Sequence, residues 1–148
     1  MKNKIKGFTL PELVVVIAIF AIMAALLAPF VRMTKNRSDG INCANNLRQI
    51  SLGAHMYAAD NDGNFPPAMG ALYPKYVKNE KTFDCPANKS DGTQDAPDYT
   101  YIAGLTELSD PSEVIVYDLD GNHNSRGRNI LRINGLVEWV RKGGGKPK

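Results

Sequence analysis

Apolar and polar positions divide the chain into a long helical front and a strand-forming remainder. Residues 13–31 form a run of nineteen side chains without a charge, which is long enough to cross the hydrocarbon core of a bilayer as a helix. Residues 34–40 are polar, and after them apolar side chains recur at three- and four-residue spacing, which predicts an amphipathic helix. Those apolar positions are Cys43, Leu47, Ile50, Ala54 and Tyr57. A helix from about Phe8 to about Ala58 would measure roughly 75 Å, so its second half should cover another element, most simply a sheet of its own domain.

Turn formers and β-branched residues predict that sheet downstream of the helix. Asp, Asn, Gly and Pro crowd residues 60–67 and should end the helix. A short helical piece is expected around 70–77, and residues 86–100 have the composition of a loop. Strand-forming residues occupy the segments 99–103, 113–118, 129–133 and 136–140. Asn134-Gly135 joins the last two as a hairpin turn, because both residues tolerate positive φ. The expected fold is α+β, a long N-terminal helix packed on a small antiparallel sheet of three or four strands.

The distribution of charge argues against a nucleic-acid partner. The chain has a formal charge of +3, and Lys2, Lys4 and Lys6 account for all of it, so that residues 8–148 are balanced. Basic residues also gather among glycines in 141–148, where a solvated, flexible tail explains them better than a phosphate-binding patch. No nucleic-acid partner is expected.

The junction between the basic N-terminus and the apolar run is unusual. A secretory signal would explain the lysines and the apolar residues, but the run is long for one and lacks an A-x-A cleavage triplet. A plain signal anchor would also fit. Neither explains Gly7-Phe8 followed by Glu12 at the start of an apolar helix. A carboxylate carried to the bilayer centre costs about 2.5–3.5 kcal/mol, and such residues are usually functional with a definite partner.

The segment MKNKIKGFTLPELVVVIAIFAIMAALLAPF resembles the leader and first half-helix of type IV pilins and type II secretion pseudopilins. The resemblance implies that a prepilin peptidase cleaves after Gly7, that Phe8 is then N-methylated, and that the apolar helix is kept. It also implies that Glu12 pairs with the N-terminal amine of a neighbouring subunit in the filament. Pro11 stands where the family has an apolar residue, in a first helical turn that tolerates proline.

This resemblance also implies a domain organisation and a function. Its four parts are the leader 1–7, the transmembrane and filament-core helix 8–31, the globular domain 32–142 and the flexible tail 143–148. The implied function is that of a structural subunit in the periplasmic pseudopilus of a type II secretion system. A surface type IV pilin for adhesion, motility or DNA uptake would share all these residues. A membrane-anchored periplasmic binding domain that never polymerises is a third interpretation, which leaves Glu12 without a use.

Partners and location follow from the same resemblance. The partners are further copies of the chain in a helical filament, the prepilin peptidase, an inner-membrane assembly platform, minor pseudopilins, and membrane lipid before assembly. The location is the bacterial inner membrane, crossed once with the N-terminus cytoplasmic and the C-terminal domain periplasmic, and then a periplasmic or extracellular filament. The sequence has no G-x-S-x-G, P-loop or H-E-x-x-H motif, so no enzymatic activity is expected.

The second half of the chain carries narrower resemblances. The segments CANNLRQISLGAHMYAADNDGNFPP, TFDCP and YDLDGNH resemble a group of pseudopilin-like proteins that end in a histidine, nine residues and Asp-Gly. Here ten residues follow His123 before Asn134-Gly135. Residues 57–66 also resemble the helix end of the major pseudopilin of type II secretion.

Two cysteines allow two interpretations. Cys43 and Cys85 form no C-x-x-C pair, and with two distant histidines they do not predict a zinc site. Export to an oxidising compartment favours a disulfide between them, whereas the simpler alternative is two separate buried thiols.

Acidic residues at alternate positions suggest calcium but have a plainer explanation. D-x-D-G-N occurs at residues 60–64 and again at 118–122, and it supplies oxygens as the start of an EF-hand loop does, without the rest of that loop. Turn chemistry alone explains both copies. The major pseudopilin binds calcium in a loop of its sheet, and the resemblance implies Asp118 and Asp120 as the ligands here. No cofactor is otherwise required.

Overall fold

A computed structural model describes residues 9–88, 90–119 and 121–142. The leader, Phe8, Asp120 and the tail 143–148 lie outside these described residues. Helix α1 spans Leu10–Asp60 and continues through Pro29. The chain divides into two compact units, one up to Lys35 and the other from Asn36 onward, so α1 contributes its first half to one unit and its second half to the other.

The second unit contains one antiparallel sheet. Within the described residues its strands are β1 (Tyr99–Tyr101), β2 (Val114–Asp118), β3 (Gly127–Arg132) and β4 (Val137–Arg141), in the spatial order in which they occur along the chain. Strands joined in this order need only local turns, as in a meander. Together with α1 they form the α+β arrangement that the sequence predicted.

The hairpin between β3 and β4 follows its sequence signal. Asn129 pairs with Trp139 in the antiparallel register. Gly135 has a φ of 80° at the turn and donates its amide to the carbonyl of Arg132 at 2.9 Å. The turn predicted at Asn134-Gly135 is therefore confirmed, but of the two residues only Gly135 adopts positive φ, where a side chain would be strained.

Short helical elements depart from the sequence prediction. The piece expected around 70–77 is a single 3-10 turn at Met69–Leu72, after which the chain bends at a cis Tyr73–Pro74 peptide. Two further 3-10 helices, Glu80–Phe83 and Asn122–Ser125, were not predicted. Both are one turn long, and so short a segment leaves no hydrophobic period to detect.

The core of the second unit lies between α1 and the sheet. The apolar stripe predicted on the second half of α1 is confirmed, because Cys43, Leu47 and Ile50 are wholly buried. Phe65, Leu72 and Phe83 from the segments after the helix complete the core, together with Val116 and Leu131 of the sheet. A stripe of this kind is stabilised by burial of apolar surface, at about 25 cal/mol per Å². The second half of α1 therefore positions Cys43 against the end of β2.

Candidate assembly segment and buried cysteine cluster

The start of α1 is closed by a contact between Thr9 and Glu12. The backbone amide of Thr9 donates to Oε2 of Glu12 at 2.9 Å, and the Thr9 hydroxyl donates to the same oxygen at 2.6 Å. Thr-x-x-Glu at a helix start is the sequence pattern of a capping box, in which the glutamate reaches back to the first free amide. Glu12 thus caps its own helix, in addition to the intersubunit role that the resemblance implies.

The first unit exposes an apolar helix surface. The apolar first half of α1 is long enough to cross a membrane, and none of it is buried against other described residues. Leu10 is 79% exposed and Phe20 is 66% exposed, and their apolar neighbours along the helix are similar. Contiguous apolar surface of this extent marks a membrane or protein contact rather than a water-facing helix. Among the described residues this is the one helix long and apolar enough to cross a membrane, judged by length and composition.

A separate cluster lies in the interior of the second unit. Cys43 on α1 and Cys85, which follows the 3-10 helix Glu80–Phe83, are joined as a disulfide with their Cα atoms 5.5 Å apart. Both residues are wholly buried. The bond links the helix to the loop that covers the end of the sheet.

Asp118 and His123 lie against this pair of sulfurs. Nε2 of His123 is 3.0 Å from Oδ2 of Asp118 and 3.6 Å from Sγ of Cys85. Each of the four residues offers one possible ligand atom: a sulfur from each cysteine, a ring nitrogen from His123 and a carboxylate oxygen from Asp118. These four atoms all lie within 4.8 Å of one another. Asp118 is wholly buried and His123 is 6% exposed. The structure therefore gathers two sulfurs, an imidazole and a carboxylate from four separate segments.

Hydrogen bonds fix the orientation of the Asp118 carboxylate. Its Oδ2 accepts from the backbone amide of Asn129 at 2.7 Å and from the Asn129 side chain at 3.0 Å. Asn129 lies on β3, next to the strand that ends with Asp118. The other oxygen, Oδ1, and Nδ1 of His123 are buried without a hydrogen-bond partner among the described residues, which is uncommon for interior polar atoms.

The backbone of His123 is itself unusual. Its φ is 55°, in the left-handed region that non-glycine residues seldom adopt. Such a conformation costs about 1–3 kcal/mol and persists only where the surrounding contacts impose it. The indole of Trp139 packs edge-on against the imidazole with ring centres 5.2 Å apart, and this contact helps to keep the imidazole turned inward.

Asp98 ties the two loops of the cluster together. Its Oδ2 accepts from the amide of Cys85 at 3.0 Å, and its Oδ1 accepts from the hydroxyl of Ser90 at 2.6 Å. Its backbone carbonyl accepts from the side chain of Asn122 at 3.1 Å, directly before His123. One buried residue therefore positions both the segment that carries Cys85 and the segment that carries His123.

A second carboxyl nearby is electrostatically strained. Burial raises the pKa of Asp84 above its usual range; the amide of Gly92 opposes this by donating to the carboxylate, and the carboxylates of Asp98 and Asp91 add to the rise. Like charges held close together disfavour ionisation in the same way. The charged form of Asp84 is therefore disfavoured in the folded state.

The family described as the prokaryotic N-terminal methylation motif matches residues 2–28. The chain has a prepilin-type N-terminus. The match supports a type IV pilin-like protein, and the motif implies processing by prepilin peptidase and assembly into a filament. No solved structure matches the chain. The motif and the exposed apolar helix are consistent with membrane anchoring.

The residues predicted for this prepilin-type end are only partly described. Gly7 and Phe8 lie inside the matched motif but outside the described residues, so cleavage between them and methylation of Phe8 stay predictions. Glu12 is described, at the first turn of the exposed helix. Its proposed contact with a neighbouring subunit also stays a prediction.

The two D-x-D-G-N segments have different surroundings. At residues 60–64 the pattern ends α1, because Asp62 and Gly63 have positive φ and the amide of Gly63 donates to the carbonyl of Ala58 at 2.9 Å. Asp60 is exposed and forms an ion pair with Lys75 at 2.8 Å. The calcium prediction for Asp118 and Asp120 stays a prediction, because Asp120 lies outside the described residues.

The sequence did not predict that these four residues lie together. The two distant thiols and two distant histidines have no metal-binding spacing in the sequence. The one local signal was His123 five positions after Asp118, at the end of a strand. The remaining histidine, His55, lies elsewhere and contacts Glu107 at 3.3 Å and the carbonyl of Ile133 at 2.8 Å.

Proposed function

We propose that this protein is a structural subunit of a type II secretion pseudopilus, assembled through its N-terminal helix after processing by prepilin peptidase. The observation that carries the proposal is that the prepilin-type motif at residues 2–28 runs into an apolar helix, no part of which is buried within the described chain. A helix with this apolar surface must contact lipid before filament assembly and apolar neighbouring helices after it. Other copies of the same helix supply such neighbours in a filament.

Glu12 supports a polymerising role over a simple anchor. It is the acidic residue in the first turn of α1, in a segment otherwise suited to a bilayer. Its hydrogen bonds to Thr9 satisfy one carboxylate oxygen but supply no positive charge to balance the carboxylate. Cleavage after Gly7 would create an ammonium group on Phe8 of every subunit, and a neighbour offset along the filament could bring that group to Glu12. Pairing would offset the cost of a charge in an apolar setting.

The choice of pseudopilus over surface pilus rests on residues 57–66. Their resemblance to the helix end of the major pseudopilin coincides with a definite structure, because Asn61 caps the helix by donating to the carbonyl of Tyr57 at 2.7 Å. The following Asn64 forms a bridge to Thr106, which ties the helix end to the loop before β2. The role requires neither a catalytic residue nor a cofactor.

The proposed topology places the N-terminus in the cytoplasm and the second unit in the periplasm. The lysines at positions 2, 4 and 6 favour cytoplasmic retention of the N-terminus. The partners are other copies of the chain, the prepilin peptidase, an assembly platform in the inner membrane and minor pseudopilins.

Deletion of the gene separates the two filament types. The pseudopilus proposal expects secreted proteins to accumulate in the periplasm, with surface filaments, motility and DNA uptake unchanged, and re-expression of the wild-type chain should restore secretion. Normal secretion together with loss of surface filaments would overturn it in favour of a type IV pilus.

The calcium prediction is tested separately on the mature full-length chain in detergent. Binding of calcium at millimolar concentration should give heat in a titration calorimeter and raise the melting temperature. Absence of both would contradict a site at Asp118 and Asp120.

A further inference from the structure

The buried cluster of Cys43, Cys85, Asp118 and His123 has the composition of a metal site. We propose that when the two cysteines are reduced, these four residues bind one Zn²⁺ ion, so that the disulfide and the zinc complex are two alternative states of one site. This inference is independent of the filament role, since it concerns the interior of the second unit.

The donor set is the first argument. Two thiolates, an imidazole and a carboxylate suit zinc, which prefers four ligands of sulfur and nitrogen with carboxylate oxygen accepted. Calcium and magnesium prefer oxygen ligands throughout. The residues that supply the donors are all buried, so the ion would be closed off from solvent, as structural zinc sites are.

The distances are the second argument. Zinc bonds of about 2.0–2.3 Å in a tetrahedron hold the ligand atoms about 3.3–3.8 Å apart. His123 Nε2 is already 3.6 Å from Cys85 Sγ, and one ligand atom from each of the four residues can be chosen so that all four lie within 4.8 Å of one another. Breaking the bond between the sulfurs would let them separate to such spacings with small side-chain movements.

The polar surroundings are the third argument. Asn129 holds the Asp118 carboxylate with two hydrogen bonds, as outer groups commonly orient metal ligands. Two buried polar atoms, Asp118 Oδ1 and His123 Nδ1, have no hydrogen-bond partner in the part of the chain that the structure describes. With zinc bound through Nε2, the imidazole proton would move to Nδ1, and Asp118 could use Oδ1 as its ligand while Oδ2 keeps its bonds to Asn129.

The chemistry balances in two steps. A dithiol reductant converts the Cys43–Cys85 disulfide into two thiols and leaves as its own disulfide; a newly made chain already has both thiols. One Zn²⁺ then replaces the two thiol protons, which pass to solvent, and forms two zinc–sulfur bonds. Zinc protects the thiols from oxidation while it is bound, because the same sulfur electron pairs would be needed for the disulfide.

The test uses the full-length protein in detergent, in the oxidised form and after anaerobic reduction with a phosphine that is then removed. Each form is incubated with zinc and passed over a desalting column, and metal is counted by mass spectrometry. The proposal expects about one zinc per chain in the reduced form and none in the oxidised form. Zinc should block alkylation of both cysteines, and Co²⁺ in its place should give the absorption of a tetrahedral thiolate complex.

The two histidines provide a matched pair of variants. His123→Ala should weaken zinc binding by about tenfold or more, whereas His55→Ala should bind as the wild type does. Equal binding by His123→Ala and His55→Ala would overturn the proposal, as would equal binding by the oxidised and reduced wild type. If His123→Ala does not fold, the wild-type comparison decides: a reduced wild-type chain that neither retains zinc nor shows thiol protection overturns the proposal.

Discussion

The backbone amide and the hydroxyl of Thr9 both donate to the same carboxylate oxygen of Glu12, at 2.9 and 2.6 Å. This contact gives Glu12 a role within its own chain, as a cap on the first turn of α1. A cap needs only a hydrogen-bond acceptor, whereas pairing with a neighbour's ammonium group needs a negative charge. The two roles can therefore be separated by substitution.

Glu12→Gln keeps an acceptor for Thr9 but removes the charge, and Glu12→Ala removes both. If charge pairing drives assembly, both variants should insert and fold but lower the yield of sheared filaments about tenfold or more. In each variant the ammonium group of the neighbouring subunit loses its partner, and an unpaired charge in the apolar region costs a few kcal/mol. Filament yield is measured against total membrane-bound protein.

Thr9→Ala is the matched control, because it removes the hydroxyl donor and leaves the carboxylate in place. It should assemble nearly as well as the wild type. Wild-type filament yield from Glu12→Gln would contradict charge pairing and leave capping as the role of Glu12.

Processing is predicted at a single bond. Mass spectrometry of the mature protein should find N-methylated Phe8 as the first residue, because the methylation motif covers residues 2–28 and contains Gly7-Phe8. A host strain without the prepilin peptidase should retain residues 1–7. A mature N-terminus near residues 25–35 would instead indicate an ordinary signal peptide.

The disulfide between Cys43 and Cys85 should account for a large share of the stability of the second unit. It closes a loop with a sequence separation of 42 residues, for which chain entropy predicts about 4 kcal/mol. Replacement of both cysteines by alanine should lower the free energy of unfolding by about that amount, measured by urea denaturation. Alkylation of the native exported protein should label neither cysteine before reduction, and two labelled thiols would contradict the disulfide.

The raised pKa of Asp84 predicts a pH-dependent penalty. Burial disfavours its charged form in the folded state, so the penalty is fully present above the folded pKa and disappears as pH falls below the ordinary aspartate value of about 3.9. Asp84→Asn should therefore melt at a higher temperature than the wild type at pH 7, with the difference shrinking towards pH 4.

Asp110 is a control of opposite sign for the same measurement. The hydroxyl and the amide of Ser112 donate to its carboxylate and lower the pKa of Asp110. Ionised Asp110 therefore stabilises the folded state above its ordinary pKa, and this stabilisation is lost in acid. Asp110→Asn should accordingly melt at a lower temperature than the wild type at pH 7. If both substitutions raised the melting temperature, the cause would be the removal of any negative charge and not the relief of an unfavourable charge at Asp84.

Local patterns were sufficient for helix α1 and the four strands, but not for the 3-10 helices. The spacing of Leu47 and Ile50 predicted which face of α1 is buried, and Asn134-Gly135 predicted the turn between β3 and β4, because both signals act within a few residues. Strand ends differed from the prediction by at most two residues; β1 ends at Tyr101 instead of residue 103, for example. The residue at which a strand ends depends on the strand that it pairs with, and local composition carries no information about that pairing.

The sequence by itself determined the prepilin-type N-terminus, the apolar helix and the α+β order of elements, since each depends on residues adjacent along the chain. Only the tertiary structure decided that Cys43, Cys85, Asp118 and His123 share one buried site. They come from α1, a loop, a strand end and a 3-10 helix. Their approach depends on how α1 packs on the sheet and on the hydrogen bonds of Asp98 and Asn129. Contacts between segments that are distant in sequence form when the core packs, so the spacing of residues along the chain does not predict them.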